Sequence, residues 1–197
     1  TELVSVSDAG AQGDGDSHGS SGGGRYVSAD GRHVAFWSDA TNLVAGDTND
    51  TSDFFVRDRV LKTTVRVSVS SAGAQGHAPV IAPTSTAGGV ALSDDARFVS
   101  FDSALGDIAN DATPQALQMY VRDLAYGVTT VGSVSSLGET GDWHSMGPAL
   151  SARGEGVAFS SSASNLVAND DNRGCVAPVN TRDSCSDIFV HELVHAP

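Results

Sequence analysis

Two stretches of the chain carry oxygen donors at a spacing suited to a hard cation. Residues 42–53 contain Asp47, Asn49 and Asp53, carboxylate and amide oxygens at alternating positions that close on an aspartate opening an apolar run. Ca2+ takes about six to eight oxygens, and a loop of this kind delivers several of them. Residues 165–172 repeat the pattern with Asp170 and Asn172, and Asp187 stands where Asp53 does, beyond an insertion bracketed by Cys175 and Cys185. A bridge between those cysteines makes the path from Asn172 to Asp187 about as short as that from Asn49 to Asp53, so the donor set survives the insertion. A further copy runs through Asn110 and Asp111 to Gln118, whose neutral amide replaces the carboxylate, and it is expected to bind nothing. The alternative for all three loops is Asx-turn chemistry, in which Asp and Asn hydrogen-bond their own backbone. The glycine and terminal glutamate of an EF-hand are missing. Asn49-Asp50-Thr51 also fits an N-glycosylation acceptor, a pattern short enough to arise often by chance.

Other chemistry-bearing motifs lose force in context. His191, Glu192 and His195 spell H-E-x-x-H, but zinc proteases need both histidines on one helical face, and here the motif follows a strand pattern. Gly19 to Gly23 matches the nucleophile-elbow pattern with no helix behind it to sharpen the turn. His18, His33, His77 and His144 share no spacing and receive no ligand role. Two cysteines so close in sequence point to a disulfide in an oxidising compartment rather than a thiol catalyst. No catalytic residue is assigned, and an enzyme is not expected.

The elements that must position the loops are read from self-similarity. Leu3–Gly13 returns as Arg66–Gly76 and more loosely as Val131–Gly141, Tyr26–Ser38 returns as Ala91–Ser103 and Ala149–Ser161, and Phe54–Asp58 returns as Met119–Asp123 and Ile188–Glu192. The order is constant and the period is about 65 residues, giving repeats over 1–70, 71–135 and 136–197. The second block is a hairpin around an Asp-Gly type turn, and the first and third blocks are short strands. Four strands per unit without helical periodicity describe an all-β array of three propeller-type blades. A β-trefoil also has three repeats, but its units are shorter.

Ser28–Ser38, reading Ser-Ala-Asp-Gly-Arg-His-Val-Ala-Phe-Trp-Ser, followed by Val56-Arg57-Asp58, resembles the TolB-like, or WD40-like, β-propeller repeat. The resemblance spans essentially the whole chain, with departures at the turns around Asp95-Ala96 and Arg153-Gly154-Glu155. It implies blades in which the hairpin supplies the inner strands, Val-Arg-Asp the third, and the following Val-Ser-Val the outer edge. Blades then run over Tyr26–Ser70, Val90–Ser135 and Ala149–Glu192, the last without an outer strand. The spare copy is Leu3, Val4, Ser5, Val6 and Ser7, expected to complete the third blade of another molecule and so build a six-bladed ring or a head-to-tail filament.

Composition narrows the partners. The 197 residues carry a formal charge of −13, with 24 acidic groups against 11 basic ones, which leaves no basic stripe for nucleic acid or anionic lipid. No apolar run reaches the ~20 residues that span a bilayer, so membrane insertion is not expected, and the Thr-Glu-Leu-Val start has neither the basic nor the apolar region of a signal peptide. The expected function is a secreted, non-enzymatic scaffold, extracellular, on the cell surface or periplasmic, calcium-stabilised and assembling with itself. The alternative is a ligand-binding module for a cell-surface protein or glycan, and a hydrolase is the remote third class.

Overall fold

The computed structural model describes residues 1–20, 24–76, 88–104, 107–109, 116–170 and 185–193. Among them every regular element is a strand. β1 (Ser17–His18), β2 (His33–Ser38), β3 (Asp53–Asp58) and β4 (Thr63–Arg66) form one sheet in that order. β5 (Val90–Leu92), β6 (Phe98–Ser103), β7 (Gln118–Asp123) and β8 (Val128–Val131) form a second. β9 (Ser145–Leu150), β10 (Gly156–Ser161) and β11 (Asp187–Glu192) form a third, with β11 at its edge. All pairings are antiparallel, and the three sheets are here called blades 1 to 3.

The recurring hairpin has a local cause. At its turn the Ser28 and Ser93 hydroxyls accept the backbone N–H of His33 and Phe98 at 2.9 and 3.0 Å, and Ser151 does the same for Gly156 at 3.0 Å. The residue three positions after each serine is left-handed, Gly31 at φ 70°, Ala96 at 56° and Gly154 at 73°. Gly154 has a second reason to be glycine, since a Cβ there would sit 2.3 Å from the Phe98 ring. Arg32 then clamps Asp58 across the sheet with Nε 2.9 Å from Oδ1, and Arg97 clamps Asp123 with Nη2 2.7 Å from Oδ2. Blade 3 departs, with Glu155 and Glu192 at the two matching positions.

Alternation along each strand sends one set of side chains toward the preceding blade and the other toward the next. Phe54, Val56 and Ala35 of blade 1 pack with Val90, Val99 and Phe101 of blade 2, while Met119 and Val121 of blade 2 pack with Val157 and Phe159 of blade 3. Inner edges are stitched by a repeated bond, Ala29 N–H to the Asp94 carbonyl at 2.9 Å and Asp94 N–H to the Ala152 carbonyl at 2.7 Å.

The outer strand differs from expectation. It is Thr63–Arg66 in blade 1 and Val128–Val131 in blade 2, ahead of the Val-Ser-Val segments. Val67 and Ser68 prolong it by one step, Val67 N–H reaching the Phe54 carbonyl at 2.8 Å and the Ser68 hydroxyl accepting Phe54 N–H at 3.0 Å. Val69 to Ser71 then cross to blade 2, where the Val69 carbonyl accepts the Thr129 hydroxyl at 2.6 Å. Leu3–Ser7 is likewise not a loose strand, because the Val6 carbonyl accepts the Thr64 hydroxyl of blade 1 at 2.6 Å. The repeat preserves a crossing tie, which sequence alone does not separate from strand pairing.

Candidate functional site

Loop one was the clearest cation candidate, and its acidic groups meet an arginine. Asp53 opens β3 fully buried, and Arg66 ends β4 opposite Phe55, which brings the guanidinium over the loop. Arg66 Nη1 lies 3.0 Å from Asp47 Oδ1 and 3.1 Å from Asp53 Oδ2, and Nη2 donates to the Gly46 carbonyl at 3.3 Å. Asn49 Nδ2 donates to Asp53 Oδ2 at 3.1 Å and to the Gly76 carbonyl at 3.0 Å, and the Ser68 hydroxyl donates to Asp53 Oδ1. Burial and the Asp53 charge still hold the Asp47 carboxyl above its ordinary value, against the pull of Arg66. The arrangement neutralises two buried carboxylates with a fixed cation of the protein's own.

Blade 2 solves the same problem without charge. Gln118 replaces Asp53 and accepts the Ser133 hydroxyl at 2.5 Å while its amide donates to the Gly141 carbonyl at 3.0 Å, combining the roles of Asp53 and Asn49. Val131 stands where Arg66 does. The second loop's lack of a carboxylate at the strand start is therefore matched by the lack of an arginine. Arg66 was missed in the sequence, although this paired change was there to be read.

In blade 3 the third-strand start is Asp187, which is exposed. Asp170 is placed at the matching loop, whereas Asn172 and Cys175 lie outside the described residues, as do Asn110 and Asp111. Cys185 is buried two residues before β11. Among the described residues no group of three or more metal-ligating side chains converges.

His191 and Glu192 sit on β11, a strand and not a helix, and His195 lies outside the described residues. Burial lowers the His191 pKa, with Glu192 opposing, so the imidazole is neutral at neutral pH. Gly19 and Ser20 belong to a loop, and the rest of that motif is outside the described residues. A cleft of about 550 Å3 between blades 2 and 3 is lined in part by Arg97, Asp123, Tyr126, His191 and Glu192, but its guanidinium is already held by Asp123.

The feature without a counterpart elsewhere is the far face of blade 3. Phe54 and Met119 are 5% and 0% exposed, and Val56 and Val121 are 2% and 4% exposed, because each pair packs on the following blade. Their counterparts Ile188 and Val190 are 77% and 72% exposed. At the other end of the array, Val27 and Val34 of blade 1 correspond to Leu92 and Val99, the residues that receive such a face in blade 2. Val27 is 38% exposed. Val27 and Val34 thus lie at positions that in blade 2 receive the preceding blade. Among the described residues no helix is long and apolar enough to cross a membrane.

No known family profile matches the chain, and no curated protein matches it. Solved structures that it is similar to include TolB from Acinetobacter baumannii, at 15% identity and a TM-score of 0.44, covering 79% of this chain and 28% of that one. A TolB structure from Agrobacterium tumefaciens shows 15% identity and a TM-score of 0.42 over 75% of this chain and 38% of that one. An oligogalacturonate lyase from Vibrio parahaemolyticus gives 11% identity and 0.29 over 78% and 49%. The chain spans less than half the length of each. By its own repeat order and sheet topology it is an all-β array of three propeller-type blades.

Proposed function

We propose that the chain is a secreted, non-enzymatic β-propeller repeat protein that acts as a self-assembling structural or interaction scaffold. The observation that carries this reading is the exposure of Ile188 and Val190 at positions that are buried in both sibling blades. A sheet edge with apolar side chains is an aggregation hazard unless a partner covers it. Burying an aliphatic side chain is worth about 1.5–3 kcal/mol, so covering both contributes toward association.

The calcium reading rests on loop three. Loop one has Arg66 between its carboxylates, so a cation there has to displace a guanidinium, whereas in loop three Asp187 is exposed. A Cys175–Cys185 bridge would hold the two halves of that loop together, in keeping with an oxidising location.

The test is sedimentation velocity of the 197-residue chain at micromolar concentrations. Particles of two or more chains are expected. A single species with the mass of one chain at all concentrations overturns the proposal.

A further inference from the structure

We propose that Asp102 is a proton-operated latch on the seam between blades 2 and 3, holding the inner strand of blade 3 in place while its carboxyl is protonated and loosening it when the carboxyl ionises.

One position of the repeated hairpin sets the site. In the repeat alignment Asp102 corresponds to Trp37 in blade 1 and Ser160 in blade 3, so blade 2 alone puts an ionisable group there. Gly89 N–H of blade 2 donates to Asp102 Oδ1 at 2.9 Å, and Gly147 N–H, on β9 of blade 3, donates to Oδ2 at 2.8 Å. The carboxyl therefore joins two blades through its two oxygens. The packing beside it is tight, since a Cβ on Gly89 would lie 2.7 Å from Asp102 Oδ2 and 2.5 Å from Pro148 Cδ.

Asp102 is set apart by its lack of a cation. Among the described residues the buried aspartates are Asp53, Asp58 and Asp102. Asp53 meets Arg66 Nη1 at 3.1 Å and Asp58 meets Arg32 Nε at 2.9 Å, whereas the bonds to the Asp102 carboxyl come from backbone N–H groups. The elements packed against it bring no charge to it. β5 and β9 contain no ionisable residue. On β7, Arg122 and Asp123 stand at the far end, opposite Val99 and Phe98, where Arg122 binds the Val69 and Ser70 carbonyls and Asp123 is held by Arg97. His144, just ahead of β9, faces the same seam with its Nδ1 accepting Leu117 N–H at 2.9 Å.

A buried carboxylate without a counter-charge is costly, and two neutral donors do not offset that cost. Burial accordingly pushes the Asp102 pKa up to about 7, against the pull of both N–H groups. Opening the seam returns the carboxyl to water and to an ordinary pKa of about 4. The group thus holds the closed seam fully below about pH 4, and that hold is lost as pH rises to about 7. Roughly three pH units separate the two states, so the opening equilibrium shifts about a thousandfold in all, about tenfold per unit. Blades in an array are held mainly by their neighbours, so one seam can open without unfolding the rest.

The test is hydrogen exchange of the full chain between pH 5 and pH 8, corrected for the intrinsic rate of the amides. It compares the peptide over β9, whose Ser145 N–H donates across the seam to the Leu117 carbonyl at 2.8 Å, with the peptide over β3 in blade 1. Protection of β9 should fall about tenfold per unit up to about pH 7 and then level, and it should stay at least about tenfold below that of β3 throughout. In Asp102→Asn the fall should disappear, and any slope that persists belongs to His144. Equal protection of β9 and β3 at every pH means that only the whole chain unfolds, which overturns the latch. A flat profile in the parent, or the same fall in Asp102→Asn, overturns it as well. Carbon NMR of the Asp102 carboxyl in the parent gives a reading that needs no variant: a midpoint near about 7 is expected, and an ordinary carboxylate midpoint of about 4 overturns the proposal.

Discussion

Replacing Arg66 by methionine isolates what the guanidinium does at loop one. The side chain is 10% exposed and lies between Asp53, 0% exposed, and Asp47, 4% exposed, so Arg66→Met strands two buried carboxylates that share one cation. Removing one partner of a buried ion pair costs about 3–5 kcal/mol, because the remaining charge keeps its desolvation penalty. At a urea m-value of about 2 kcal/mol/M this is a fall of roughly 2 M in the unfolding midpoint. The loss should be greatest at neutral pH and smaller in mild acid, where Asp47, whose pKa is already raised by burial and by Asp53, takes up a proton and relieves the repulsion. Blade 2 supplies the control. Asp47→Asn/Asp53→Gln/Arg66→Val copies its neutral solution at Gln118 and Val131 and should recover at least about 2 kcal/mol relative to Arg66→Met alone, the size of coupling expected for groups in contact. Calcium should raise the melting temperature of Arg66→Met more than that of the parent, since the substitution frees the oxygen donors. An Arg66→Met variant within about 1 kcal/mol of the parent, well below the range for a buried pair, would refute the reasoning.

Asp102 gives a separate pH signature. It is buried between blades 2 and 3, accepts Gly89 N–H at 2.9 Å and Gly147 N–H at 2.8 Å, and burial pushes its pKa up to about 7 despite both donors. A folded-state pKa raised above the unfolded value means that its contribution is fully present below about pH 4 and is lost as pH rises to about 7, on the order of 4 kcal/mol at most. Urea titrations across that window should show the slope in the parent and a flatter profile in Asp102→Asn; equal slopes would remove Asp102 as the cause. If loop three holds calcium, chelation of metal-loaded protein should lower the melting temperature, and Asp187→Asn should abolish the response. A chelator effect that survives Asp187→Asn would assign the metal elsewhere.

Much of this architecture is legible in the repeats. The Ser28, Ser93 and Ser151 hydroxyls fix the hairpins, and the left-handed positions at Gly31, Ala96 and Gly154 fall where the turn pattern puts them. The outer strand was displaced by a few residues because Val67-Ser68-Val69 does two jobs, ending one blade and crossing to the next, and only three-dimensional contacts divide them. The oxygen cluster of loop one was legible as a cluster, but its cation was not. Arg66 lies 13 residues beyond Asp53, on a strand whose register was unknown from sequence. Likewise Ile188 and Val190 read as ordinary strand residues until burial separates them from Met119 and Val121.

Sedimentation velocity of the parent chain beside Ile188→Ser/Val190→Ser tests self-assembly through the third blade most directly. Both side chains are largely exposed, 77% and 72%, so the substitutions remove little that holds one chain together. The account predicts an oligomeric parent, and a double variant that sediments as one chain at the same concentration with an unchanged melting temperature for its folded monomer. A double variant that assembles as the parent does, or a parent that is itself a monomer, would contradict it.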